Sequence, residues 1–269
     1  MFSFGDERVI GPSDWSNMGR TFDTVRLDLH PTNIKVSIFA ASVINAIDGQ
    51  IDHHIEGNNI YGIYSSFARL IPHATVEPYV LWRVAPGNVP LPETQGRGHL
   101  DEVTSGARIA GTLFDNFDYD VEMNKQTGSL GPYSIDAWAG HWNVGYTFKN
   151  VPLQPRTFIE YNYASEDIRV GVNEKLALKW TLTEMFNDLW LATTNDAVYG
   201  SSGAIAIAAH PGATSNHLGI ELDLIAEYKQ NSHVDYGFGF THLFTGQYLN
   251  EATGGKDYNY PFAYVTYGF

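Results

Sequence analysis

The chain ends in Asn259-Tyr260-Pro261-Phe262-Ala263-Tyr264-Val265-Thr266-Tyr267-Gly268-Phe269. Counted back from Phe269 to Pro261, every second residue is apolar or aromatic, whereas the residues between them form a mixed set. Because successive side chains of a β-strand point to opposite faces, this alternation predicts a strand whose faces meet different surroundings. A terminal strand with an apolar face is an edge that promotes aggregation, and closing the sheet into a barrel removes that edge. We therefore predict a closed barrel; the last strand of a soluble β-sandwich is the alternative.

The composition fits strands that meet lipid on one face. Aromatic residues make up 14% of the chain and charged residues 17%, as expected when girdles of Tyr and Trp border an apolar belt. Cys is absent, which permits an oxidising envelope compartment. No apolar run approaches the roughly 18 residues that a membrane helix needs, so the sequence excludes a helical membrane protein. We expect a single barrel domain over residues 1–269.

The net charge of the chain bears on a nucleic-acid partner, and its first residues bear on a signal peptide. The formal net charge of -14 argues against a nucleic-acid partner, because neutralising phosphates requires clustered Lys and Arg. The first residues lack the basic start and apolar segment of a signal peptide. We therefore expect a partial chain without its leader and its N-terminal strands, which would assemble inefficiently because its edges stay open.

Segments of alternating polarity recur along the whole chain, with short turns alternating with long loops. This rhythm is typical of a transmembrane barrel, and the sequence predicts an all-β, transmembrane antiparallel β-barrel of about 14 strands. Long loops are predicted at 45–58, 85–100, 196–215 and 249–257, and a turn at 173–175. The predicted strands are 20–30, 33–44, 59–70, 74–84, 104–114, 117–127, 133–148, 156–163, 168–172, 177–192, 216–230, 234–248 and the final segment.

The segment 216–230 shows the alternation most clearly. One parity carries aliphatic side chains and the other carries most of the charges. Only the register that turns the charges away from hydrocarbon avoids a large energetic cost, so we predict an aqueous lumen on one face and lipid on the other. The lumen set is Glu221, Asp223, Glu227 and Lys229, and the lipid set is Leu218, Ile220, Leu222 and Leu224.

Evidence for catalysis or a metal site is thin. The histidines near loops show no spacing of a nucleophile and a base, so we expect no catalytic residues, no cofactor and no enzymatic activity. These histidines are His210, His217, His233 and His242. A loop with Asp52, His53, His54 and Glu56 resembles a metal cluster, but its ligand set is incomplete and a cluster of polar residues on a loop is usually only solvated.

The few basic residues are more informative, because several share a parity with polar residues. Arg26 alternates with Val25 and Leu27, and Arg83 has the parity of Glu77. An Arg facing lipid at mid-depth costs roughly 2–4 kcal/mol, so these side chains are expected to point inward. They either pair with carboxylates of neighbouring strands and stiffen the wall, or together form a cationic constriction. The sequence leaves both roles open.

Several segments carry a resemblance to a known family. The resembling segments are Phe4–Asn17, Gly19–Asp23, Val25–Leu27, Leu189–Ala192, Leu218–Asp223, Gly239–Phe244 and Tyr260–Phe262. Together they resemble the alginate export family of bacterial outer-membrane β-barrel proteins. The resemblance implies a passive outer-membrane conduit that exports an anionic, alginate-like exopolysaccharide through a constriction lined with Arg and Lys. A general or small-anion porin is the first alternative, and an outer-membrane enzyme is the second.

The resemblance also suggests which residues contact the substrate. The matching motif assigns pore-lining roles to Arg8, Arg20 and Arg26, with Asp6 and Glu7 as their ion-pair partners. Parity alone adds four more basic residues, which are Arg83, Arg108, Arg156 and Lys179. The expected partners are an anionic polysaccharide or small anionic solute, outer-membrane lipid and unidentified periplasmic secretion proteins.

Overall fold

The computed structural model describes residues 3–11, 21–45, 53–91, 96–164, 166–177, 179–199 and 205–268. Within them the chain is all-β, with one short helix. The strands are β1 (Phe22–Leu29), β2 (Ile34–Asn45), β3 (His53–Ile71), β4 (Ala74–Pro90), β5 (Arg97–Leu113), β6 (Phe117–Leu130), β7 (Tyr133–Thr147), β8 (Arg156–Tyr163), β9 (Asp167–Ala177), β10 (Trp180–Trp190), β11 (Val198–Tyr199), β12 (Ile205–Ile207), β13 (His217–Lys229), β14 (Val234–Thr245) and β15 (Tyr258–Tyr267). Helix α1 (Gln247–Thr253) precedes β15.

Thirteen of these strands form one antiparallel sheet, in which the strands follow one another in chain order. The order is β1 to β10, then β13, β14 and β15, while β11 and β12 pair separately. The predicted all-β antiparallel architecture is therefore confirmed, with 13 strands in the sheet where the sequence suggested about 14. Among the described residues no pairing joins β1 to β15, so the sheet is not closed.

The chain divides into two compact units, which we describe separately. Unit 1 comprises residues 1–111 and 121–139, and unit 2 comprises residues 112–120 and 140–269. That all residues form one domain stays a prediction. None of the described helices is both long and apolar enough to cross a membrane.

The core of unit 1 lies on one face of its strands. It is formed by Ile10, Phe39, Ala41, Tyr64, Tyr79 and Leu81, all of which are buried. Residues 3–11 fold onto this face through a turn in which the backbone N–H of Phe4 donates to the carbonyl oxygen of Ile10 over 3.2 Å. The Phe4 ring stacks on Tyr64 with a centroid distance of 4.5 Å. On the opposite face, Val25 and Leu27 are exposed, as the alternation predicts.

Strand β13 separates its two faces in unit 2 as its sequence predicts. Asp223 is buried and accepts a hydrogen bond of 2.5 Å from the Thr241 hydroxyl of β14, whereas Ile220 and Leu224 are exposed. Pairing places Leu224 opposite Phe240, so aliphatic and aromatic side chains share the second face. We call these the polar and apolar faces of unit 2. That water meets one and lipid the other remains a prediction.

Several predicted boundaries are wrong, because strands continue through polar segments. Strand β3 begins at His53, so the second half of the predicted loop 45–58 is strand. Strands β4 and β5 extend into the predicted loop 85–100, pairing Pro90 with Arg97. Strand β9 continues through the predicted turn 173–175, where it pairs with β10 and where the Asn173 side chain accepts a 2.9 Å hydrogen bond from Thr183. A polar residue that finds a partner across the sheet does not have to end its strand.

Helix α1 replaces the end of the predicted strand 234–248 and the start of the predicted loop 249–257. Its Tyr248 side chain is completely buried, and Gly254 ends the helix in the left-handed region with a φ of 69°. Glycine adopts this conformation without steric strain. The predicted surface loop 196–215 also contains the small β11–β12 pair. Both features depend on contacts that no local periodicity reveals.

Candidate functional site

The predicted pore residue Arg26 lies on the core side of unit 1 and is held by three neighbours. Its Nε donates to Asp28 Oδ1 over 2.7 Å, and its Nη2 donates to the buried Ser37 hydroxyl over 3.2 Å. The Ser37 hydroxyl in turn donates to Asp28 over 2.6 Å. The guanidinium carbon lies 5.0 Å from the centroid of the Phe4 ring. The inward orientation predicted for Arg26 is therefore what the structure shows.

The other predicted residues of unit 1 divide between the N-terminal segment and the strands. Arg8 donates to Asp6 over 2.7 Å, and Glu7 occupies the turn with a φ of 70°. Arg108 donates to Glu77 over 2.7 Å, one strand away in the register. Arg83 lies in register with Glu102. Arg8 and Arg108 thus each pair with a carboxylate, and Arg83 lies opposite an acidic residue of the neighbouring strand.

Arg156 begins β8 and reaches Asp118 in unit 2. Its Nε lies 2.9 Å from Asp118 Oδ2, and its Nη2 bonds to Asp118 Oδ1 and to Asn143 over 2.9 Å. The guanidinium also lies 5.4 Å from the Phe158 ring centroid. Contacts to both carboxylate oxygens hold a guanidinium plane in a defined orientation.

A buried polar network on β7, β8 and β9 was not predicted from the sequence. Asn162 donates to Glu160 and to Asp167, each over 2.8 Å, and Nδ1 of His141 lies 2.8 Å from the Asn162 oxygen. Arg169 forms ion pairs with Asp167 at 3.0 Å and with Glu160 at 3.3 Å. Asp167 is only 1% exposed. The sequence signal was the shared parity of Arg169 and Asp167, but the partners on β8 could not be read from it.

Two predicted residues do not join these groups. Lys179 lies in the turn before β10, where its Nζ donates to the backbone oxygen of Gln230 over 2.8 Å and lies 5.8 Å from the Tyr228 ring. Because Tyr228 lies on the apolar face, this position is suited to anchoring a turn rather than lining the polar face. Arg20 lies outside the described residues, as does the loop residue Asp52. The side chains of His53 and His54 are also outside them.

The arrangement can hold charges in fixed positions along a polar surface. In the described part of the chain, no group of three or more His, Cys, Asp and Glu side chains could hold a metal ion. Four of the described arginines lie 2.7–3.3 Å from carboxylates. In unit 1, Arg26 pairs with Asp28 of the same strand and Arg108 with Glu77 of the neighbouring strand. In unit 2, Arg156 pairs with Asp118 of β6 and Arg169 with Glu160 of β8. Such a surface can contact a charged or polar chain repeatedly without covalent chemistry.

The family profile described as "Alginate export" matches residues 1–181 and residues 166–263. The chain belongs to the alginate export family. The family consists of outer-membrane transport channels, and membership supports a role for this alginate export family member in polysaccharide export. No curated protein matches the chain.

Proposed function

We propose that the chain forms an outer-membrane channel for an anionic, alginate-like exopolysaccharide, with arginines along the passage and lipid on the apolar face. One observation supports the selectivity most directly. Arg26, Arg108, Arg156 and Arg169 lie on the buried, polar side of their strands and are held there by carboxylates. A guanidinium has five N–H donors, so one that is held by a carboxylate still has donors that can form hydrogen bonds with a uronate carboxylate.

A general porin is the second candidate, and the same ion pairs favour it. Each of these four arginines is balanced by an acidic partner, and the chain carries a net charge of -14. Local charges dominate in a narrow aqueous passage, because the Debye length is about 8 Å at physiological salt. The choice between the two candidates therefore depends on the nearest charges and not on the total.

Reciprocal substitutions of one ion pair test the proposal. Arg156→Gln removes the cation, and Asp118→Asn removes its carboxylate partner while keeping the side-chain size. In planar bilayers under a salt gradient, we expect Arg156→Gln to shift the reversal potential toward cation selectivity and Asp118→Asn to shift it toward anions. Block by oligouronates should weaken about tenfold in the first variant and strengthen in the second, because charge-assisted hydrogen bonds are worth about 1.5–3 kcal/mol.

Lys256→Gln is the matched control, since Lys256 lies in the segment between α1 and β15 and is exposed. It should leave both readouts unchanged. If neither Arg156→Gln nor Asp118→Asn altered the reversal potential, the arginines would serve only as structural ion pairs between strands. The general porin would then be the better description.

A further inference from the structure

Four aromatic rings form a row along one face of β15. They belong to Tyr258, Tyr260, Phe262 and Tyr264, which alternate along the strand. Successive ring centroids are 6.4, 5.7 and 6.4 Å apart, and the planes of neighbouring rings differ by only 19°, 27° and 14°. The rings therefore form a series with nearly parallel planes that extends along the strand. We call this series the aromatic row.

Two glycines of β14 allow the row to lie flat on the sheet. Phe262 is paired with Gly239 and Tyr264 with Gly237. A Cβ atom built on Gly239 would lie 2.1 Å from Cζ of Phe262 and 2.5 and 2.6 Å from its two Cε atoms. An edge-on ring would leave the Cε atoms much farther away than Cζ, so the face of the ring covers the glycine. The opposite ring face points away from the sheet.

The row belongs to the polar face of unit 2. The Tyr264 hydroxyl donates to Glu227 over 2.6 Å, and Tyr260 is in register with Thr241, whose hydroxyl donates to Asp223. An aromatic girdle would lie on the other face, where Trp180 packs against Tyr228. The membrane interface therefore does not explain the row.

Covering the backbone does not explain the whole row either. Tyr258 and Tyr260 have no glycine opposite them, because their register partners are Leu243 and Thr241. Both tyrosines remain more than half exposed, at 58% and 53%. Flat aromatic surface next to hydroxyls and carboxylates is the combination that binds a ligand with apolar faces and polar edges.

We propose that the aromatic row is a track on which the pyranose rings of a polysaccharide stack, whatever their charge. A sugar ring has an apolar face of C–H groups for stacking and hydroxyls at its edge for hydrogen bonds with groups such as Glu227 and Thr241. Neighbouring aromatic rings repeat on the scale of a single sugar unit, so a chain can move from one ring to the next without losing all contacts. The row rests on the proposed function and deepens it, because stacking supplies a charge-independent contact beside the arginines.

Substitutions of Tyr260 test the track, with block of single-channel current as the readout. Tyr260→Leu keeps an apolar side chain but removes the flat ring, and Tyr260→Phe keeps the ring. The two blockers are a neutral maltohexaose and an oligouronate of the same length. We expect Tyr260→Leu to weaken block by both sugars about tenfold, which is the lower end of the about 1–3 kcal/mol that stacking of a nucleic-acid base on one aromatic ring contributes. Tyr260→Phe should retain the block.

Tyr267→Ala is the matched control on the same strand, because Tyr267 lies on the apolar face and should leave both constants unchanged. The track is overturned if both sugars block the Tyr260→Leu channel as strongly as the unchanged channel. It is also overturned if the substitution changes only the blocking constant of the oligouronate. The outcomes also separate the track from the proposed function. Block by both sugars that depends on Tyr260 but is unchanged in Arg156→Gln would support the track and contradict selectivity for anions. Absence of block by either sugar would contradict both.

Discussion

Asp167 and Glu160 are two buried carboxylates that share one arginine. Arg169 forms an ion pair with each, while Asn162 donates to both. Removing one partner of a buried ion pair leaves an uncompensated charge, which is far more destabilising than losing an exposed pair. We therefore expect Arg169 to stabilise the β8–β9 hairpin of unit 2.

We expect Arg169→Met to lower the free energy of unfolding by about 3 kcal/mol, because two carboxylates lose their cation at a buried site. Urea unfolding in detergent measures the effect. The folded fraction is determined from the electrophoretic mobility, which changes when the folded protein is heated. Lys125→Met is the control, since its pair with the exposed Asp136 should contribute less than about 1 kcal/mol. Equal effects of both substitutions would contradict the special role of the buried network.

Gly239 makes a second residue-scale prediction. A Cβ atom at this position would meet the Phe262 ring at 2.1 Å, so the ring has to leave the strand surface. Gly239→Ala is expected to destabilise the protein by about 1–3 kcal/mol through overpacking, measured by the same unfolding assay. Gly212→Ala is the control, because nothing lies within 4 Å of its Cβ position. A neutral Gly239→Ala variant would show that the ring does not lie on the glycine.

At the scale of residues, the sequence predicted which face of the sheet a side chain occupies better than which residues it contacts. Arg26 was expected to point away from Val25 and Leu27, and it does, because strand parity alone determines which face a residue occupies. The contact of Arg26 with Phe4 and the grouping of Arg169 with Glu160 depend on how segments pack and register. Those relations join residues that are distant in sequence, so no local pattern encodes them.

At the scale of elements, the carboxylate of Glu251 holds helix α1 against Thr214 of the loop before β13. Glu251 accepts hydrogen bonds from the Thr214 hydroxyl over 2.6 Å, from the Thr214 backbone N–H over 2.8 Å and from Gln247 over 2.9 Å. The hydrogen bond from the Thr214 side chain, followed by the one from Gln247, holds the pKa of Glu251 below its usual value. The helix was missed in the sequence because seven residues carry too little periodicity.

This pKa predicts how the docking of α1 depends on pH. The ionised carboxylate is the better acceptor, so its stabilisation is fully present above the ordinary carboxyl pKa and is lost as the pH falls through the lowered pKa. We expect hydrogen exchange of the α1 amides, corrected for intrinsic rates, to accelerate in that acidic window. In Glu251→Gln the acceleration should be absent. An identical pH profile in both proteins would rule out this contact as the cause.

Strand β13 allows a test of which face meets lipid. Leu222→Arg places a charge on the apolar face, whereas Ile225→Arg makes a similar change on the polar face of the same strand. If lipid covers the apolar face, Leu222→Arg should destabilise the folded protein in bilayers by about 2–4 kcal/mol more than Ile225→Arg. Denaturant titration in lipid vesicles compares the two. The reverse order would place lipid on the other face.

At the scale of the whole molecule, the two ends of β10 indicate how the protein sits in a bilayer. Trp180 packs against Tyr228 at one end, and Trp190 packs against His217 at the other. The 11 residues of β10 span about 34 Å at a rise of about 3.4 Å per residue. A strand tilted by about 40° then crosses about 26 Å, close to the roughly 25 Å apolar band of outer-membrane barrels.

We therefore expect both tryptophans to lie near the two lipid headgroup regions. In variants that keep only Trp180 or only Trp190, bromine placed on the lipid chains near the headgroups should quench fluorescence more than bromine near the chain ends. A single-tryptophan variant at Trp142 of β7 supplies an apolar-face comparison within unit 2. Equal quenching at all depths would contradict the proposed membrane position.

The sequence predicted the architecture of the molecule more accurately than its boundaries. Alternation, turn spacing and the final strand together predicted an antiparallel all-β chain, and 13 strands of the sheet follow the chain order. Strand ends were misplaced at His53, Pro90 and Arg97, because strands continue beyond the segments where lipid would impose alternation. Outside those segments hydrogen bonding alone extends a strand, and hydrogen bonding leaves no hydrophobic period.

The flat contact between β14 and β15 also has a consequence for how relatives of this chain can diverge. Gly237 and Gly239 can change to larger residues only if the rings of Tyr264 and Phe262 shrink or turn away. A ring at either β15 position needs a glycine beneath it in order to lie flat. The two strands therefore constrain each other's evolution pair by pair, and in homologous channels a loss of glycine should accompany a loss of the facing aromatic residue.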